Sequence, residues 1–109
     1  MYKATTPTAV FTFPESIDMT QASAVYVTFA DMRSQTILTK ETEELTISEH
    51  EVRAELTQEE TLQFQTKQFQ VQINWLYEEN GKIKRACSKI VTGEMGDNLI
   101  PEVLEGESE

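Results

Sequence analysis

His50 is the only imidazole in the chain and Cys87 the only thiol. A zinc site takes three or four protein ligands, drawn largely from these two residue types, so no multi-histidine or multi-cysteine centre can be assembled. A Cys-His nucleophilic pair would need the two side chains within hydrogen-bond reach. The strand patterning described below puts His50 at a hairpin tip and Cys87 in mid-strand, which reads them as a solvated turn residue and a small packing residue. Adjacent acids occur at Glu43-Glu44, Glu59-Glu60 and Glu78-Glu79. A glycosidase places two carboxylates about 5–10 Å apart across a cleft, whereas neighbours in a strand point to opposite faces. These pairs read as solvated surface. Gly81, Gly93, Gly96 and Gly106 form no phosphate-binding loop, and no Lys-Ser or Lys-Thr pair follows a Gly-rich turn. The residues that could do chemistry therefore predict no catalytic group, no metal and no cofactor, and a protein that acts by binding.

The charge distribution narrows the partner. Nine Lys and Arg stand against nineteen Asp and Glu, a formal charge of −10. Glu94, Asp97, Glu102, Glu105, Glu107 and Glu109 follow Gly93 with no base among them, so more than half of the excess lies in this short segment. A phosphate backbone is bound by Lys and Arg that displace counterions, so neither nucleic acid nor an anionic lipid surface is an expected partner. A lone cysteine permits no intrachain disulfide. The opening MYKATTPTAVFTF lacks the continuous apolar stretch of a signal peptide, and no run approaches the ~20 apolar residues of a membrane span. A cytoplasmic site of synthesis is the expectation.

At 109 residues the chain suits one modest core. Its hydrophobic period is two almost throughout, which predicts strands. Thr8–Phe13 is β-branched and aromatic and is stopped by Pro14. Ala24–Ala30 alternates Val25, Val27 and Phe29 with Tyr26 and Thr28. Thr36–Lys40, Leu45–Ile47 and Val52–Leu56 are shorter candidates; a two-residue turn at Glu49-His50 would pair Ile47 with Val52 and Leu45 with Ala54. Thr57-Gln58-Glu59-Glu60 has the spacing of a capping box, opening a short helix to about Gln63, with Leu62 and Phe64 plugging the core. Asn80-Gly81 supplies the positive φ values of a type I′ turn and joins Phe69–Glu78 to Lys82–Thr92. In that register Val71 faces Ile90 and Trp75 faces Ala86, with Trp75 at the centre of the core. About seven strands and one short helix predict an all-β, immunoglobulin-like antiparallel two-sheet sandwich over residues 1–98, or a small open barrel as the alternative. Residues 99–109 form an acidic C-terminal tail, with Glu105–Glu109 expected to be disordered. Leu99, Ile100, Val103 and Leu104 are too apolar for a purely solubilising segment, and predict packing on the body or on a neighbour.

The reverse side of the long hairpin is the candidate binding surface. Gln68, Gln70, Gln72, Asn74 and Leu76 alternate with core residues, and Val91, Lys89, Cys87, Arg85 and Ile83 lie opposite. Gln72 and Lys89 are expected to face each other. A face of amides, aliphatic groups and two bases is one a protein partner could cover, and Gln70, Gln72, Asn74, Leu76, Arg85, Lys89 and Val91 are its candidate partner-binding residues.

Three stretches carry a resemblance: Phe11-Thr12-Phe13-Pro14, the Leu56-Thr57-Gln58-Glu59-Glu60-Thr61-Leu62-Gln63-Phe64 run, and Val71-Gln72-Ile73 leading to an ending with Glu102-Val103-Leu104. Together they resemble small proteins of about this length encoded in phages and prophages of Gram-positive bacteria, commonly among virion structural genes. The architecture is also similar to the N-terminal β-sandwich of phage baseplate upper proteins. The resemblance implies a non-enzymatic tail or baseplate assembly role, exercised on other virion proteins or by self-association, in the virion or in the host cytoplasm during assembly. It brings no catalytic residues, and the helical and receptor-binding parts of the baseplate proteins have no counterpart here, so host recognition is not implied. Two other readings are an acidic inhibitor that mimics nucleic acid on a host protein, and a glycan-binding sandwich. Charge concentrated in the tail argues against the mimic, and a buried Trp75 and Tyr77 against the glycan reading.

Overall fold

The computed structural model describes residues 1–33 and 36–105; the disorder expected for 106–109 lies outside the described residues. Among the described residues the strands are β1 (Thr8–Thr12), β2 (Ala24–Asp31), β3 (Thr36–Glu41), β4 (Leu45–Ile47), β5 (Glu51–Glu55), β6 (Gln68–Glu79), β7 (Lys82–Cys87) and β8 (Val91–Glu94), with one α-helix, α1 (Gln58–Thr61), between β5 and β6 and short 3-10 turns at Met19–Gln21 and Thr42–Glu44. They form two antiparallel sheets. One has the order β1-β5-β4; the other runs β3-β2-β6-β7, with β8 continuing the β7 edge against β6. This is the expected mainly β, two-sheet sandwich. Its second and third strands form a hairpin within one sheet, whereas an antibody constant domain places them in different sheets.

Period two explains the core. Val25, Val27 and Phe29 of β2, Val71 and Ile73 of β6, and Val52 and Ala54 of β5 point between the sheets, with Leu56, Phe64, Met19 and Met95 closing the layer. Trp75 is not the centre. It is half-buried at the margin, edge-on to Phe13 with ring centroids 5.4 Å apart. Leu62 is likewise half-buried, leaving Phe64 as the plug. The β4–β5 turn falls at Glu49-His50, with Leu45 opposite Ala54 and Ile47 opposite Val52, and Asn80 and Gly81 adopt the positive φ of the type I′ turn (53° and 76°).

The capping box forms as its spacing predicts. Thr57 Oγ1 accepts from the Glu60 amide at 3.1 Å, and Glu60 Oε1 accepts from the Thr57 amide at 2.8 Å. The second Glu60 oxygen accepts from Lys40 Nζ at 2.7 Å. Lys40 lies opposite Val27 on the core side of β3, where its ammonium is nearly buried. Burial pushes the Glu60 carboxyl up, but the hydrogen bonds from Lys40 and Thr57 outweigh it and hold the group below the usual glutamate range.

An eighth strand arises from a bulge. The pairing set by the Asn80-Gly81 turn holds from Glu79 opposite Lys82 to Asn74 opposite Cys87. Beyond it Val71 meets Val91 rather than Ile90, and Phe69 meets Gly93 rather than Thr92. Gln72 and Ile73 are thus spanned by three residues, Ser88, Lys89 and Ile90, so one residue is extra. Ser88 closes the irregularity: its amide donates to the Ile73 carbonyl at 2.9 Å and its hydroxyl accepts from the Ile73 amide at 3.2 Å. A one-residue slip exchanges faces, so every side chain after the bulge has changed sides.

Candidate functional site

The five-stranded sheet turns one face to the core and one outward. Outward-facing positions on β6 are Gln70, Gln72, Asn74 and Leu76, and the ladder places Tyr26 of β2 beside Asn74 and Arg85 of β7 beside Leu76. Asn74, Leu76 and Arg85, three of the residues expected from the sequence, meet Tyr26, Thr28 and Thr39 around a shallow hollow of about 380 Å³. The Asn74 amide oxygen accepts from Arg85 Nε and Nη2 at 3.1 and 3.0 Å, which lays the guanidinium along the sheet. Thr28 and Thr39 join their hydroxyls at 3.2 Å on the far side. The arrangement offers a phenol ring, an aliphatic group, hydroxyls and one fixed cation, a composition suited to a protein surface.

The bulge removes two expected members from this patch. Val91 follows the slip and stands opposite Val71 on the other side of the sheet. Lys89 is exposed within the bulge and has no ladder partner in Gln72, whose amide instead donates to the Ser88 carbonyl at 2.8 Å. Gln70, opposite Ala30 and Thr92, lies on the same face away from the hollow. Tyr26, Thr28 and Thr39 were missed by sequence reasoning. The alternation of β2 already marks Tyr26 and Thr28 as outward, but which strand neighbours the long hairpin is not written in local pattern.

Beside the face runs the sheet edge. Among the described residues β7 is paired on one side only, so alternate N–H and C=O groups of its backbone point away from the sheet. The stretch from Lys82 to Gly93 has no acid and holds Lys82, Lys84, Arg85 and Lys89, four of the nine bases. Its Ile83 and Ile90 are 60% and 55% exposed. Cys87, expected to pack, is exposed, because its partner Asn74 faces outward too.

His50 and Cys87 are on different sheets. His50 Nδ1 lies 2.8 Å from the Ile17 carbonyl; since a carbonyl only accepts, Nδ1 carries the hydrogen. The residue is half-buried rather than fully solvated, and with the Glu49 and His50 carbonyls, which accept from the Met19 and Phe13 amides, it fastens the β4–β5 turn to the segment after β1. On the core side of the hairpin Trp75 and Tyr77 are half-buried and line an open cleft of about 410 Å³ with Asp18, Gln21 and Glu78. The Thr20 hydroxyl and amide donate to Asp18 and hold its carboxyl below the usual range.

The acidic segment is anchored by the Asn98 side chain and the Leu104 backbone. Asn98 Nδ2 donates to the Lys3 carbonyl at 3.0 Å, and the Gln58 side chain both donates to the Leu104 carbonyl (2.9 Å) and accepts from its amide (2.7 Å). The side chains do not follow the backbone inward: Leu99, Ile100, Val103 and Leu104 all stay exposed. Among the described residues no helix is long and apolar enough to cross a membrane. No family model matches the chain, and neither a curated protein nor a solved structure is significantly similar to it.

Proposed function

We propose that this protein is a non-enzymatic assembly module of a phage or prophage virion, in the tail or baseplate region, acting by contact with other virion proteins through the outer face and β7 edge of its five-stranded sheet. The observation that carries the binding reading is the outward patch of Tyr26, Asn74, Leu76 and Arg85 next to an unpaired strand edge that holds exposed Ile83 and no acid. Strand addition at such an edge takes affinity from main-chain hydrogen bonds and specificity from alternate side chains. The virion context is supported by the resemblance carried by Phe11–Pro14, Leu56–Phe64 and Glu102–Leu104.

Replacing Tyr26 and Leu76 together by glutamate puts two charges on the outer face without touching the core. The double variant is expected to fold and to lose copurification with proteins encoded beside it, together with particle assembly. Undiminished assembly by a folded variant refutes this face as the interface. The glycan-binding alternative gains one supporting observation, the half-buried Trp75 and Tyr77 at the open cleft; quenching of Trp75 fluorescence by an oligosaccharide would favour it.

A further inference from the structure

The exposed edge and the exposed segment are opposites in charge and alike in apolar content. Lys82 to Gly93 holds four bases and no acid, while Glu94 to Glu109 holds six acids and no base. Each displays aliphatic groups that the body does not cover: Ile83 on one, Leu99 and Leu104 on the other, at 60%, 102% and 57% exposure.

We infer that the segment around Glu102–Glu105 of one copy adds as a strand to the β7 edge of a second copy, so that the chain associates head to tail; this rests on the assembly reading above and names the partner of the edge. An antiparallel register that sets Glu102 opposite Arg85 sets Val103 opposite Lys84, Leu104 opposite Ile83 and Glu105 opposite Lys82. All four pairs are then complementary: two ion pairs, one aliphatic pair, and one valine along a lysine stem. The Ile100 amide, which would be next to pair, is held by Asn98 Oδ1 at 3.0 Å, so the added strand begins after it.

The occupant is a second copy because the segment is held away from its own edge. The Met95 amide bonds the Lys67 carbonyl and the Gly96 amide bonds the Met1 carbonyl, so the chain leaves the body at the Gln68 end of β6. Asn98 then fastens it to Lys3, and strand addition exchanges the two bonds between Gln58 and the Leu104 backbone for two to Ile83 of the second copy. Arg85 lies beside Leu76, eight residues farther along β6 and about 27 Å away at strand rise. An edge that receives a segment and a segment that enters another edge make a heterologous contact, which propagates or closes into a ring.

The test uses the full chain in sedimentation velocity with two charge-reversed forms. One carries Lys82→Glu and Arg85→Glu, the other Glu102→Lys and Glu105→Lys. All four residues are exposed, and circular dichroism and thermal melts check that each form folds. The wild type is expected to sediment faster as its concentration rises, and to lose this at high salt. Each reversed form alone should associate at least about tenfold more weakly, since two attractive pairs become repulsive. An equimolar mixture of the two should recover association, because each supplies the surface the other has lost. A wild type that remains monomeric at all concentrations overturns the inference, as does association unaffected by either reversal or not recovered on mixing. If the wild type remains monomeric yet copurifies with its neighbouring virion proteins, the self-association inference fails and the assembly reading stands.

Discussion

Gly93→Ala is a substitution whose sign the structure decides. Gly93 faces Phe69 across the β6–β8 ladder, and its φ is not positive, so nothing in its backbone demands glycine. An alanine there would ordinarily stabilise by about 0.4–1 kcal/mol by restricting the unfolded chain. The ring of Phe69 reverses this. A Cβ on Gly93 would lie 2.5 and 2.6 Å from Phe69 Cζ and Cε1, against about 3.5–4.0 Å for carbons in contact, so the ring must retreat by about 1 Å. Phe69 cannot retreat freely, because it is edge-on to Phe64 at 6.0 Å, and Phe64 is edge-on to Phe29 at 6.4 Å. Overpacking of this kind costs about 1–3 kcal/mol, leaving a net loss of about 0.5–2 kcal/mol. Urea unfolding followed by the fluorescence of Trp75, the single tryptophan, measures it. The same alanine in a Phe69→Leu background should be neutral or stabilising, with a coupling of about 1 kcal/mol or more between the two sites. A Gly93→Ala protein as stable as wild type, or more stable, would show that the ring does not cover Gly93 and that the bulge register is wrong.

Two further outcomes test how the helix is fastened. Thr61 is fully buried; its hydroxyl donates to the Gln58 carbonyl at 2.9 Å and accepts from the Thr5 amide at 3.2 Å, so Thr61→Val should cost about 1–3 kcal/mol in urea unfolding by stranding that amide. Lys40→Met should cost about 1–2 kcal/mol at neutral pH, between exposed and buried ion pairs. Because the Glu60 carboxyl is held below its ordinary 4.5 in the folded protein, its contribution is present above that pH and is lost as pH falls through the folded value; the wild type should therefore lose more stability than Lys40→Met between neutral and acid melts, and equal losses would refute the role of the pair.

Much of this fold is legible in residue order because its causes are local. Alternation in Ala24–Ala30 and Phe69–Glu78 marks strands and their inward faces; Thr57 with Glu60 marks the cap; Asn80-Gly81 marks a turn whose φ values few other residues accept. The turn at Glu49-His50 follows from matching Leu45 and Ile47 to Ala54 and Val52. These are relations between residues a few positions apart, and they fix strand existence, hairpin register near a turn, and the sidedness of β2 and β6. The division of charge between the Lys82–Gly93 stretch and the acidic residues after it is likewise plain in the order of residues.

Only the tertiary structure decides what depends on long-range neighbours. Whether the β6–β7 ladder runs unbroken to Thr92 is settled by packing: the bulge at Ser88–Ile90 sets Gly93 beneath Phe69, and in doing so turns Val91 off the outer face and leaves Lys89 without Gln72. The pairing of β2 with β6, which brings Tyr26 to Asn74, joins residues nearly fifty positions apart. So do the Gln58 contacts with Leu104, which fasten the acidic segment by its backbone while its apolar side chains remain in water. Local pattern determines which way a side chain points relative to its own strand; which strand lies beside it, and where one extra residue is absorbed, follow from burying all the apolar faces at once, a condition no short stretch of sequence contains.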